Sequence, residues 1–344
     1  MKSNYRYIVK AFMAMAVIAG TTSCDDFLDR EPMSSISPET YYSTAAQLEA
    51  NLNDEYPNVL PSFGQWTYGI FGEDKGTDNQ IEVNANDRYT QDRWKVPHSE
   101  SDNWKFERIY RINFFLSEAL PKFGEDMSGS QNTISGSVAT IKHYIGEMYF
   151  LRAYEYFKKL QLFGDFPIIN QPLADEMEAL REASKRFPRN EVARFIISDL
   201  DKAYAYMSDV DMATTRINKD VAMLVKSRVA LFEATWLQNF KGTAFVPGGE
   251  GWPGASLHNN YQYPSGNIDN EVKYFLEQAV EASKLVADKY KGSLTENTGV
   301  LQQSADDPSN PYFDMFAQED LSDVKEVLSV SYTHLRAHET CADL

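Results

Sequence analysis

From Ile141 to Gly164 the chain reads IKHYIGEMYFLRAYEYFKKLQLFG, and Ile141, Tyr144, Ile145, Met148, Leu151, Tyr154 and Leu160 recur at three- and four-residue spacings. That period predicts an amphipathic helix. Lys142, Glu147, Arg152, Glu155, Lys158 and Lys159 interrupt the stripe. A membrane span needs about 20 mostly apolar residues, and so many charges exclude one here. Gly164 predicts the C-cap, Pro167 stops any continuation, and LQLFGDFP turns into the short apolar run Ile168–Ile169.

The same reading gives five more helices. One opens at Pro38-Glu39, carries Tyr41, Tyr42, Ala45, Leu48 and Leu52, and ends before Pro57. A second runs from Asn103 to Leu120, with Pro121 as its stop; its Trp104, like Trp236 further on, is expected in the core. Others span Arg189 to Met207, Lys219 to Phe240 and Glu271 to Tyr290. Two stretches break the pattern, 58–101 and 242–270, both rich in Gly, Asn and aromatics. They predict long irregular loops, the first with one short strand, and such loops inside a compact domain carry function more often than not. Helices stacked in series resemble tetratricopeptide repeats, although no clean 34-residue period is present. The expected fold class is mostly α: a tetratricopeptide-like helical scaffold with long irregular aromatic-rich loops.

Composition narrows the function. A formal net charge of −17 argues against nucleic acid, and against a polyanion unless a local basic patch overrides the total. Tyr and Phe number 20 each and Trp 5, more aromatics than a core requires and suited to stacking on planar or sugar-like partners. The two cysteines, Cys24 and Cys341, stand at opposite ends and offer neither a disulfide framework nor a zinc or redox pair. No phosphate-binding glycine loop, HExxH, GxSxG or calcium loop occurs, so no cofactor, metal or catalytic residue is assigned. Asp and Glu are abundant, but nothing marks a pair for hydrolysis.

Residues 1–23 have the order of an export signal: basic Lys2, Arg6 and Lys10, then the apolar AFMAMAVIAG, then small residues before Cys24. The Cys so placed resembles a bacterial lipobox, with Thr21 where Leu is usual; the alternative is an ordinary cleaved signal and a free thiol. Acylated Cys24 would attach the chain to membrane lipid, with 24–37 as tether and 38–330 as the folded domain.

The stretches GEMYFLRAY (146–154) and GDFPI (164–168) closely resemble the signature of the SusD/RagB family, outer-membrane lipoproteins that capture glycans. CDDFLD (24–29), WKFERIYRIN (104–113), KSRVALFEA (226–234) and FAQEDLSDVKEV (316–327) resemble it further. The resemblance implies a tetratricopeptide-like scaffold that binds without catalysis. It also implies an exterior-facing position on the outer membrane and delivery of oligosaccharides to a TonB-dependent, SusC-like transporter. A helical adaptor binding peptide or protein is the alternative.

Family members are longer, so the resemblance implies a chain incomplete at its C-terminus. Residues 331–344, SYTHLRAHETCADL, change composition abruptly and resemble translated adapter read-through. His334, His338 and Cys341 share one helical face there, but with no apolar periodicity to support a helix they are assigned no metal. Sugars present apolar C–H faces ringed by hydroxyls, so the loop aromatics beside amides and carboxylates are the binding candidates. These are Trp66, Tyr68 and Trp94 with Asp78 and Asn79 in the first loop, and Trp252, Tyr261 and Tyr263 in the second. The competing role for each is to plug its loop onto the scaffold.

Overall fold

The computed structural model describes residues 41–60, 103–124, 126–208 and 216–301, and most of 303–328. The expected export signal and tether, Cys24, the 331–344 tail and most of the first aromatic loop lie outside the described residues. Eight α-helices are described: α1 (Ala45–Val59), α2 (Glu107–Phe123), α3 (Val138–Phe163), α4 (Met177–Ala183), α5 (Arg189–Tyr206), α6 (Lys219–Asn239), α7 (Ile268–Tyr290) and α8 (Pro311–Phe316). Among the described residues sheet pairing is limited to two isolated bridges, Thr44 with Ser135 and Phe166 with Phe187. The mostly helical fold class is as expected.

Helix α3 is the hub. Helices α1 and α2 pack against it from one side and α5 from another, and α5 carries α6, which carries α7. Its N-terminus is capped by the Ser137 hydroxyl, and Gly164 closes the other end with φ +69°, its N–H donating to the Leu160 carbonyl at 2.9 Å. The amphipathic reading of α3 needs correction. It is buried on nearly all sides, including Glu147, Arg152, Glu155 and Lys159. These charges do not form a solvated face, because each meets a partner on a neighbouring segment. Arg152 forks onto Asp199 of α5 at 2.6 and 2.9 Å, and its third nitrogen reaches Asn113 of α2 at 2.9 Å. Glu147 accepts two bonds from Arg216, at 2.9 and 2.7 Å, and one from the Tyr56 hydroxyl at 2.8 Å.

The boundaries of α1, α2 and α7 differ from expectation. Helix α1 starts at Ala45 because Thr44 and Gln47 form a reciprocal capping box, and Tyr41–Thr44 is a turn. It also runs past Pro57, just as α2 runs past Pro121. A proline in the last turn removes only one helical bond, and packing makes up the difference. Helix α2 begins at Glu107, so Trp104 precedes it, half-buried against Phe163 and Phe166. The surface stretch after Ile169 contains the short helix α4, and α7 begins at Ile268, where the Asn267 side chain caps it.

The core is one continuous cluster running from Leu48 and Leu52 through α3 to Phe275 and Val286 of α7. Its largest members, among them Phe115, Phe123, Phe150 and Tyr156, are fully buried. Each such apolar side chain contributes about 1.5–3 kcal/mol.

Candidate functional site

The signature stretch explains itself as architecture. Tyr156 of α3 fixes the segment after Pro167 by donating to the Ile169 carbonyl at 3.0 Å and accepting its N–H at 2.8 Å. Arg152 adds a bond to the Asn170 carbonyl at 3.2 Å. The connection leaving α3 is therefore pinned, and Asp165 is presented at a defined place. Its Oδ1 accepts the Arg189 backbone N–H at 2.9 Å, standing in for a side-chain cap at the start of α5. Its Oδ2 accepts the Trp252 indole N–H at 2.7 Å. Burial pushes the Asp165 carboxyl above the usual carboxylate range, against the pull of those two bonds and of the nearby Arg189 and Arg186 charges.

Asp165 thus joins the signature stretch to the second aromatic loop, and a cavity of about 480 Å³ opens between them. Its walls are the end of α3 with Leu162, Trp236 of α6, and Phe245, Trp252 and Leu257 of the loop, with Arg186 also lining it. The volume is in the range of small-ligand sites. Phe245 is 61% exposed and Leu257 52%, large apolar groups left open beside the cavity. Trp236 is held in place twice: its indole N–H donates to the Phe245 carbonyl at 3.1 Å, and the Arg189 guanidinium lies 4.0 Å from its ring centroid. Arg189 itself is neutralised by Glu233, with three bonds between 2.9 and 3.1 Å.

The candidates from the second loop fall around this cavity with different exposures. Trp252 lines it but is buried, folded back over Gly254 so closely that a Cβ there would meet the indole at 2.2 Å. The His258 ring stacks on Trp252 with centroids 6.0 Å apart, and His258 Nε2–H donates to the Arg186 carbonyl at 2.7 Å. Tyr261 and Tyr263 lie behind it, their rings 5.2 Å apart. The Tyr261 hydroxyl exchanges bonds with the Asn190 amide at 2.9 and 3.1 Å, and Tyr263 donates to the Pro247 carbonyl at 2.7 Å. Burial drives both phenols well above their ordinary range. These contacts secure the loop, and the part of it that faces the cavity is Trp252, Phe245 and Leu257.

The first-loop candidates, Trp66, Tyr68, Trp94, Asp78 and Asn79, lie outside the described residues. Both roots of that loop are described, and α3 holds them. Lys158 donates to the Val59 carbonyl at 2.7 Å, Lys159 to the Asn103 carbonyl at 2.8 Å, and Glu155 lies between the two ammonium groups at 2.8 and 3.4 Å. Sequence reading missed Trp236, Arg186, Phe245 and Leu257 as cavity residues. Phe245 carried a signal, an aromatic in a Gly/Pro-rich loop, whereas Trp236 had the spacing of a core residue.

No group of three or more His, Cys, Asp or Glu poised to hold a metal occurs among the described residues, and no described helix is long and apolar enough to cross a membrane. A family described as "SusD-like: starch-binding associating with outer membrane" matches residues 26–231. The chain belongs to the SusD-like family. Its relatives include SusD-like protein P2 of Formosa agariphila, 25% identical over 253 residues, which cover 70% of this chain and 46% of that protein. SusD-like protein P25 of the same organism is 25% identical over 233 residues, 62% of this chain and 41% of that one. The SusD-like chain thus spans less than half the length of these relatives. Among solved structures, a SusD-like carbohydrate-binding protein from Bacteroides fragilis aligns with a TM-score of 0.42 and 16% identity, over 75% of this chain and 42% of that one.

Proposed function

We propose that this chain is the ligand-capturing part of a SusD-like surface protein. In this reading it binds oligosaccharides without turning them over and hands them to a TonB-dependent outer-membrane transporter. Acylated Cys24 would hold it on the exterior face of the outer membrane. The observation that carries the reading is the cavity walled by Trp236, Trp252 and Phe245, with exposed apolar surface beside it. Aromatic faces of this kind match the C–H faces of a sugar ring, and nearby polar groups such as Gln161 meet its hydroxyls. The cavity also supports binding rather than hydrolysis. Among the described residues Asp165 is its one lining carboxylate, and both Asp165 oxygens are occupied by structural N–H donors. The test is equilibrium binding to a glycan array, with Trp236→Ala and Phe245→Ala as comparisons. Capture predicts at least one glycan bound and its affinity reduced tenfold or more by either change, with thermal stability retained for Phe245→Ala. A wild-type chain that binds no glycan would overturn it. Co-purification with the transporter from membranes, abolished by Cys24→Ala, tests the delivery step.

The adaptor reading draws on a separate observation, the exposed Leu276, Val280 and Leu285 on α7. If that face docks a protein, charged substitutions at Val280 would reduce co-purification and leave glycan binding intact.

A further inference from the structure

The polarity of the cavity is more specific than its aromatic wall. Every described arginine except Arg186 and Arg228 is ion-paired to a described carboxylate, as expected in a chain with 50 acidic and 33 basic residues. Of the two exceptions, Arg186 lines the cavity. It is held in place twice. Its guanidinium lies 4.6 Å from the Trp104 ring centroid, and its carbonyl accepts the His258 Nε2–H at 2.7 Å. A guanidinium lying against an indole keeps its in-plane N–H fork available for a carboxylate or another planar oxyanion. The other cavity cation, Arg189, is already bound by Glu233, and Asp165 is occupied by Trp252 and Arg189. Among the described residues Arg186 has no ion-pair partner, although its charge is felt by the Asp165 carboxyl, so the cavity offers one positive charge with its N–H fork unused beside an aromatic wall.

We propose that this cavity selects oligosaccharides bearing a single anionic group, a uronate carboxylate or a sulfate ester, read by Arg186, over neutral sugars. This rests on the capture reading above and specifies its substrate class. The chain's net charge of −17 works against a densely charged polymer, which would be repelled over its whole length. One anion next to one ordered guanidinium is the case in which local attraction prevails. A bidentate, charge-assisted contact of this kind strengthens binding by about 10- to 100-fold over the same sugar without the charge.

The experiment is calorimetric titration of the full chain with matched probes. These are oligosaccharides carrying one glucuronate or one galacturonate, the same molecules with the carboxylate reduced to the alcohol, and singly sulfated counterparts. The expected result is tighter binding of an anionic probe by tenfold or more. The Arg186→Gln variant should lose that difference, and Arg186→Lys should retain part of it. Arg186 is exposed, so unchanged thermal stability is expected of both variants. The carboxylate and sulfate arms report which oxyanion is preferred. Equal affinity for charged and reduced sugars, or discrimination that survives Arg186→Gln, would overturn the inference and leave glycan capture standing. Absence of binding to every probe and to a neutral glycan array would overturn both.

Discussion

Trp252 is fastened to Asp165 across the join between the signature stretch and the second aromatic loop, its indole N–H 2.7 Å from Oδ2. The other carboxylate oxygen is engaged by the Arg189 N–H at 2.9 Å, so the group serves two donors with two acceptors. An amide cannot do this. In Asp165→Asn one oxygen is replaced by an NH₂ that faces an N–H, leaving one buried donor unpaired. The expected cost is about 1–3 kcal/mol by urea denaturation, with a red-shifted tryptophan emission as the loop loosens. Trp252→Phe removes the donor and leaves Oδ2 unpaired at similar cost. In a double-mutant cycle the two changes should couple by at least about 0.5 kcal/mol. Additive effects would show that the bond contributes nothing to holding the loop.

A second prediction concerns the buried fork between Arg152 and Asp199. Arg152 is 3% exposed and Asp199 0%, so removing either charge strands the other in a dry setting. Arg152→Met should destabilise by about 3–5 kcal/mol, and Arg152→Met with Asp199→Leu should recover most of the loss. Arg152→Lys keeps the charge but forfeits the fork to Asp199 and the bonds to Asn113 and Asn170, and should fall between wild type and Arg152→Met. Chemical denaturation of the four proteins checks the order.

That pair also shows where the sequence stops being informative. The spacing of Ile141, Ile145, Met148 and Leu151 announces a helix, and Gly164 its end. Nothing local says that Glu147, Arg152 and Lys159 are buried, because Arg216, Asp199 and the Asn103 carbonyl stand on other segments. Asp199 and Arg216 are far along the chain, and a periodicity of 3.6 cannot see them. Prolines 57 and 121 misled for a related reason: a local stop signal was outweighed by the packing of the turns that contain them. At the site, the surplus of aromatics in 242–270 was legible, but the division of labour was not. Trp252, Tyr261 and Tyr263 have the same composition signal as Phe245. Only the hydrogen bonds to Asp165, Asn190 and the Pro247 carbonyl separate the residues that anchor the loop from the one that faces outward.

Acid sensitivity should trace to Glu271. Burial raises its carboxyl, but bonds from Arg194 at 2.7 and 2.8 Å, from Asn190 at 3.0 Å and from the Ser265 N–H at 3.2 Å outweigh burial and hold it below the ordinary range. A carboxyl lowered by folding adds stability above its unfolded value, about 4.3, and that contribution is lost as pH falls through the folded value. Urea midpoints should therefore decline below about pH 4.5, and Glu271→Gln should flatten the decline while lowering stability at neutral pH. Glu233 acts in the opposite sense. Burial raises it, so its contribution is fullest at low pH and diminishes as pH rises through its folded value. An unchanged acid slope in Glu271→Gln would assign the sensitivity to another carboxylate.

Gly146 tests how tightly the hub is packed. In an ordinary mid-helix position Gly→Ala stabilises by roughly 1 kcal/mol, because alanine has the better helix propensity. Here an added Cβ would sit 2.8 Å from the Met207 backbone nitrogen and 3.0 Å from the Ala203 carbonyl oxygen. Both obstacles are backbone, so relief requires α3 and the end of α5 to move apart. Overpacking of that kind costs about 1–3 kcal/mol, enough to cancel the propensity gain and leave Gly146→Ala neutral to about 2 kcal/mol destabilised. Gly292, just past the end of α7, has open space within 4 Å of the point where a methyl group would sit and no strained backbone angle, so Gly292→Ala should change stability by less than about 0.5 kcal/mol. Differential scanning calorimetry of the two variants decides the matter. A clear gain for Gly146→Ala would mean that α3 and α5 yield without cost, and that the buried fork between Arg152 and Asp199, rather than close backbone contact, sets their spacing.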